Sequence, residues 1–355
     1  MTEHEQDPPA HGWDAIDAAL APIYGAQRPR HYGSAIPAML GGNDPLQGIS
    51  AYWRDAPVPH WHFVTYGFSE LYDKESDDPE VSGFGFELSF RLAAAAATDE
   101  PPMWALNFLQ NIARYVFQSG NTFDAGHYMN LNGPIALEND TKIRAIAFVE
   151  DAELGTMQTP NGRVDFLQVV GITEPEELAL MRWSGRKALA AFGERLPLHV
   201  TDLARGDLLA DPAVAALLEQ GTREEGSSTG FLFVDELGWE RHKRLLRGDA
   251  WSLRVGARQV PVIVDLLPLR LPFERPFALI GRTAKVRFVP GRTFSARVDG
   301  DDLEVTLDPA SVQALAAAVP PVAGRYTLPG VPELTFEVVQ THIRNQQGEV
   351  VETIG

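Results

Sequence analysis

The run Gly83–Leu92, GFGFELSFRL, places Phe84, Phe86, Leu88, Phe90 and Leu92 at strict period two. Successive side chains of a strand point to opposite faces. The spacing therefore predicts a strand with one wholly apolar face and Glu87, Ser89 and Arg91 on the other. A slip of one residue would turn all five apolar side chains the wrong way, so the register is tightly specified. HWHFVTYGF (60–68), aromatic and β-branched, predicts a second strand. An acidic polar loop, DKESDDPE (73–80), separates the two.

Helical periodicity appears elsewhere. Trp13, Ile16, Leu20 and Ile23 predict a helix up to Tyr24, with Asp14 in its first turn. MWALNFLQNIARYVFQ (103–118) predicts an amphipathic helix after a Pro-Pro start. TKIRAIAFVE (141–150) and RVDFLQVVGIT (163–173) read as strands joined through the turn signal QTPNG. A helix follows to Gly193, with Thr173 as its N-cap, Pro175 and three glutamates in its opening turn, and Gly193 as its stop. A further helix is expected at about 211–220.

GTREEGSSTG (221–230) has the composition of a hinge. Beyond it, Ala257–Leu271, Phe277–Pro290, Thr293–Leu307 and Tyr326–Gln340 read as strand-like runs, with one helix at Ser311–Ala318. The expected fold class is α+β: two domains with mainly antiparallel or mixed sheets flanked by helices. The expected division is a disordered tail over 1–11, a first domain over 12–220, a hinge over 221–245 and a smaller second domain over 246–355.

Cysteine is absent, which removes disulfides, thiolate nucleophiles and sulfur-based zinc sites and fits a reducing compartment. The N-terminus is acidic and lacks an apolar h-region, and no run approaches a membrane span. A cytoplasmic protein is expected. The net charge of −18 is unevenly spread: residues 1–239 carry 15 basic and 35 acidic side chains, residues 240–355 carry 15 and 13. An acidic first half argues against nucleic acid as the main partner and suits a basic one.

Five segments then stand together: GGNDPL (41–46), HWHFVTYGFSELY (60–72), SGFGFELSFRL (82–92), ARYVFQSGNTF (113–123) and MQTPNGRVDFLQVVGIT (157–173). In order and spacing they resemble the suppressor-of-fused family over roughly residues 12–236. Over 245–340 the likeness is fainter and rests on strand-like runs and LIGRT (279–283). The resemblance implies two α+β domains, no catalysis and no cofactor. It also implies capture of a short extended segment of a partner protein, added as a strand between the domains. Carried over residue by residue, the partner-binding set is Tyr115, Phe123, His127, Phe231, Phe233 and a second-domain strand near Val260.

This chain departs from the animal pattern. It lacks their long acidic insertion in the second half, and His127 stands where they have an aspartate that engages a histidine of their peptide. Compact members look bacterial and resemble immunity proteins of polymorphic-toxin systems. The expected partner is accordingly a toxin domain of basic character, with a regulatory or scaffold role as the alternative.

An enzymatic reading is a further alternative. His60 and His62 share one strand face, and Glu87 and His127 could complete a metal shell. Trp61 and Phe63 on the opposite face favour a structural role for that strand. No GxSxG elbow is present, GRKALA (185–190) lacks a phosphate-loop pattern, and the lone Gly-x-Gly of SGFGFE lies within a strand.

Overall fold

The computed structural model describes residues 9–34, 41–244, 248–344 and 347–355. The chain forms two compact units: Met1–Leu180 with Gly185–Ala215, and Met181–Ser184 with Ala216–Gly355. The expected tail, 1–11, lies outside the described residues as far as Pro8, and His11 already opens a helix. The expected hinge, 221–245, contains the end of one helix and two short strands, and its last residue lies outside the described ones.

The first unit begins with α1 (His11–Tyr24) and strands β1 (Arg30–Gly33), β2 (Gly48–Arg54), β3 (His60–Tyr66) and β4 (Val81–Ala93). Helix α2 (Met103–Ser119) precedes β5 (Tyr128–Asn130), β6 (Ile143–Glu150), β7 (Thr156–Thr159) and β8 (Gly162–Thr173). All eight strands form one mixed sheet in the order β1-β2-β3-β4-β8-β6-β5, with β7 also paired to β8. The long central strand β4 runs antiparallel to β3 and parallel to β8.

The period-two pattern is realised in this sheet. Phe86, Leu88, Phe90 and Leu92 join Trp61, Phe63, Leu167 and Val169 in a core against α2, which contributes Ala105, Leu109, Ile112 and Val116. On the opposite face Tyr52, Val64, Tyr66 and Phe166 pack against Ile16, Leu20 and Tyr24 of α1. Between the apolar residues of this second face lies a buried polar row: His62, Ser89, Arg91 and Gln168.

The strand–helix junction after β8 follows its sequence signal. The amide of Thr173 donates to Glu176 Oε2 (2.9 Å) and the amide of Glu176 to Thr173 Oγ1 (3.4 Å), a reciprocal cap. The single expected helix is two, α3 (Glu174–Arg182) and α4 (Gly185–Gly193), broken at Trp183–Ser184. Helix α5 (Pro212–Glu225) follows.

The second unit contains β9 (Phe231–Phe233), β10 (Leu237–His242), β11 (Ala250–Gly256), α6 (Val260–Leu266) and β12 (Phe277–Ile280). After these come β13 (Lys285–Pro290), β14 (Ser295–Asp299), β15 (Asp302–Leu307) and α7 (Pro309–Ala318). Strands β16 (Gly324–Leu328), β17 (Val331–Val339), β18 (Thr341–Arg344) and β19 (Val350–Ile354) end the chain. They form sheets β14-β15-β13-β12-β9 and β10-β11-β17-β16 and the hairpin β18-β19. The two larger sheets share a core that includes Leu253, Phe336, Phe277, Phe288 and Val305, closed by Ile263 of α6 and Leu315 of α7.

The expected strand over Ala257–Leu271 is not one. It is α6 followed by two 3-10 turns, each element with a proline at its start. Proline fixes φ near the helical value and needs no amide partner in the first turn, so Pro261, Pro268 and Pro272 start helical turns here. Among the described residues, no helix is long and apolar enough to cross a membrane.

Candidate protein-binding edges

Each unit has a sheet that ends on a short strand with candidate residues on it or beside it. In the first unit this is β5, which pairs only with β6 among the described strands. Helix α2 stops at Gly120, whose left-handed φ of 71° lets its amide reach the Val116 carbonyl (2.8 Å). The chain then lays Phe123 between two rings. Tyr115 stacks on Phe123 at 5.9 Å, and Phe123 stacks on the buried Phe148 of β6 at 4.0 Å. Asn121 donates to the Tyr115 hydroxyl (2.9 Å). Tyr115 remains 40% exposed at the top of this stack. The structure thus brings Tyr115 and Phe123 together, and His127 follows as an exposed side chain one residue before β5.

The turn before β5 admits only glycine at 126. Its φ is +90°, and a Cβ there would lie 2.6 Å from Arg186 Cγ. Arg186, at the start of α4, binds Asp124 (3.0 Å) and Glu150 (3.3 Å) and so closes the turn from outside.

In the second unit the corresponding edge is β9, which among the described strands pairs only with β12. Phe231 and Phe233 are 51% and 69% exposed, with ring centroids 5.3 Å apart and planes at 76°. Leu232 turns inward and packs against the core. By register Ala278 and Ile280 of β12 lie beside the two phenylalanines on the same face, half-buried. Val260 is not part of this edge. It opens helix α6 rather than lying on a strand, and it is 1% exposed, so it is core.

The proposed metal shell does not assemble. His60 and His62 do share a face of β3, but Glu87 is committed elsewhere. Its carboxylate accepts from Thr65 Oγ1 (2.6 Å), the amides of Gly67 and Ser69 (2.9 Å each) and Ser69 Oγ (2.7 Å). Burial pushes its pKa up against these four bonds, and its work is to hold the loop after β3. Among the described residues, no group of three or more His, Cys, Asp or Glu is placed to hold a metal ion.

The two histidines belong instead to an ionic network that the sequence did not reveal. Arg91, wholly buried, grips Asp151 with both terminal nitrogens (2.6 and 3.1 Å) and also donates to Gln168 and to Glu153 (2.9 Å). Gln168 in turn donates to the carbonyls of Leu198 and His199 (2.8 and 3.0 Å). Those two residues sit at φ of 50° and 51°, a left-handed pair held by this contact. His62 Nδ1 lies 2.6 Å from the Tyr24 hydroxyl, and His60 Nδ1–H donates to the Val58 carbonyl (2.7 Å). Burial, with Arg91 nearby, lowers the pKa of His62 to about 4, and burial also lowers His60 and His199. Asp151 is held far below the usual carboxylate range by its hydrogen bonds and the Arg91 charge, against the opposing effect of its burial. The members of this network come from segments far apart in the chain, between Tyr24 and His199, so the spacing of its histidines on β3 could not reveal it.

Two hollows of about 630 and 790 Å³ open on the second unit, one beside Arg241, Trp251 and Phe294, the other beside Pro272, Pro290 and Pro309. Neither includes a candidate residue.

The structure therefore defines a class: a two-unit α+β protein whose sheets end on short edge strands flanked by exposed aromatic residues. Comparison with known proteins agrees. The family profile of Suppressor of fused protein matches residues 42–206. The human (Homo sapiens) Suppressor of fused homolog is 33% identical over 237 residues, 61% of this chain and 48% of its own length. The mouse (Mus musculus) homolog is 32% identical over the same span. The chain thus spans about half the length of the curated relatives it matches. Among solved structures, Drosophila Suppressor of Fused shares the fold, with a TM-score of 0.79 over 95% of this chain and 99% of that one at 21% identity. A chain of the Sufu–Fu complex is 30% identical, with a TM-score of 0.55 over 60% of this chain and 98% of that one. This chain belongs to the suppressor of fused family.

Proposed function

We propose that this protein is a non-enzymatic, cytoplasmic binding protein that captures an extended segment of a partner protein by strand addition, engaging β5 of the first unit and β9 of the second. The observation that carries the reading is the pair of phenylalanines on β9. A two-residue aromatic step at an unpaired sheet edge contributes little to folding while exposed, yet it offers both backbone groups and apolar surface to an incoming strand. The stack of Tyr115 on Phe123 beside β5 offers the same combination in the first unit. A relative in the family is known in a Sufu–Fu complex, which supports a protein as the ligand.

The finer reading is an immunity protein that neutralises a basic toxin domain. It is supported by the strongly acidic first 239 residues, which would speed encounter with a cationic partner and cover its surface. On that reading, affinity falls steeply between low and physiological salt. Binding that ignores salt would leave the regulatory alternative, an endogenous partner, in its place.

The test is an affinity capture from the native host with wild type beside a Tyr115→Ala, Phe233→Ala double variant shown to be folded. A partner held by wild type and lost by the variant is the expected outcome. A partner held equally by both would place the binding surface elsewhere.

A further inference from the structure

We propose that Asp17 and Trp13 of α1 and His31 of β1 form a seat for the guanidinium group of an arginine side chain of a protein. The seat lies at the far end of the first sheet from β5 and does not rest on strand capture. His31 is in register with Ser50 of β2, on the sheet face that α1 covers. The three residues meet around Tyr66, which is 1% exposed. Trp13 stacks on the Tyr66 ring at 4.5 Å, His31 meets that ring edge-on at 5.6 Å, and Trp13 and His31 lie 5.5 Å apart. Asp17, one turn after Trp13, accepts from the Tyr66 hydroxyl through Oδ1 (2.8 Å). Asp17 and His31 are exposed and Trp13 is half-buried, so a core ring gathers three groups at the surface.

Hydrogen bonds set the character of the imidazole. The Tyr66 proton goes to Asp17, so towards Ser50 this hydroxyl can only accept. Ser50 Oγ donates to it (3.4 Å), which spends the one proton of Ser50. His31 Nδ1, 3.0 Å from Ser50 Oγ, must then be a donor, and Nε2 carries a bare lone pair. Every proton in the chain His31–Ser50–Tyr66 points towards the Asp17 carboxylate. Burial lowers the His31 pKa against the opposing charge of Asp17, so the ring is neutral at pH 7. The ring has room because residue 48 is glycine: a Cβ there would come within 2.5 Å of it.

The seat therefore offers acceptors and a π-system but no donor. Among the described residues, no basic side chain pairs with Asp17. Asp14, three residues earlier on the same helix, adds a second negative charge. Guanidinium is the cation that fits. It is planar, carries N–H donors and no acceptor, and stacks on aromatic rings while donating in its own plane. Against Trp13 it can donate to both Asp17 and His31 Nε2. An ammonium, a compact point charge, cannot stack and donate to both in this way. A carboxylate would be repelled.

Imidazole nitrogen shifts of the full chain carrying isotope-labelled histidine test this, with Nα-acetyl-arginine methylamide as the probe. The signal lost in His31→Gln identifies the residue. It should show Nδ1 protonated and Nε2 bare, and the probe should move Nε2 saturably. The citrulline analogue, alike in shape but uncharged, should not. Affinity should fall about tenfold in Asp17→Asn, which still accepts from Tyr66, and about threefold in Trp13→Leu. Should Trp13→Leu fail to fold, Asp17→Asn alone decides. A proton on Nε2, a shift that does not saturate, or equal affinity in Asp17→Asn would overturn the seat. Tighter binding of free L-arginine than of the blocked residue would overturn a protein as the source of the guanidinium.

Discussion

The two edges hold their aromatic residues in different ways. At β5, Tyr115 rests on Phe123 and Phe123 on Phe148, so the exposed ring is the top of a column whose base is core. At β9, Phe231 and Phe233 touch each other and stand in solvent, and only Leu232 between them reaches the interior. The first edge is therefore coupled to the stability of its unit and the second is not. The interiors differ in the same sense. The first unit buries a carboxylate–guanidinium pair and two wholly buried histidines. Among the described residues of the second, the buried charged side chain is Arg270, which donates to the carbonyls of Ser227 (2.8 Å) and Pro276 (2.7 Å). Polar chemistry in the first unit is structural, and the function proposed for either unit lies at its rim.

The sharpest way to break this contrast is to remove the buried cations in turn. Arg91→Met leaves Asp151 buried without its counter-charge and should cost the first unit about 3–5 kcal/mol. Arg270→Met strands only neutral carbonyls and should cost about 1–3 kcal/mol. Urea unfolding of each variant measures both, and equal losses would contradict the distinction.

Acid should act on the first unit more than on the second. His62 keeps its proton off until pH is near 4 in the folded state but takes it up near 6.5 when unfolded. Stability from this group is thus whole above about pH 6.5 and is lost as pH falls towards 4, by about 3 kcal/mol. His60 and His199, also lowered, add to the loss, and the lowered Asp151 and Glu153 extend it at still lower pH. Glu87, pushed up by burial, takes a proton earlier folded than unfolded and offsets part of it. Pulse proteolysis at about pH 7 and about pH 5 should show sites in residues 11–180 becoming accessible first.

The smallest stability effects separate the edges themselves. Phe123→Ala should destabilise by about 2 kcal/mol because it removes the middle of a stack, whereas Phe233→Ala should stay within about 0.5 kcal/mol. Both should weaken partner binding at least about tenfold. A large stability loss at Phe233 would mean that β9 is not a free edge.

Local periodicity carried much of the fold. Strand β4, helix α2 and the Thr173 cap all follow from spacing within about ten residues, where side-chain direction is set by the element itself. The Val- and Leu-rich run at 257–271 has no clear period, and its prolines start helical turns where a strand-like run was expected. The site was legible only in part. Phe231, Leu232 and Phe233 alternate, so one face of that run must be core, but the spacing does not show that the two phenylalanines stand at the end of a sheet, since strand order is a long-range property. For the same reason Glu87 looked like a metal ligand beside His60 and His62, although the donors that occupy it come from Thr65 of β3 and from Gly67 and Ser69 in the loop after it.

Hydrogen exchange of the chain alone and bound to its captured partner tests strand addition most directly. The account predicts slowed exchange in the partner complex at both short edges, Tyr128–Asn130 and Phe231–Phe233, with little change at the opposite ends of the same sheets, Arg30–Gly33 and Ser295–Asp299. A partner that binds while the amides of both short edges exchange at their free rates would contradict it.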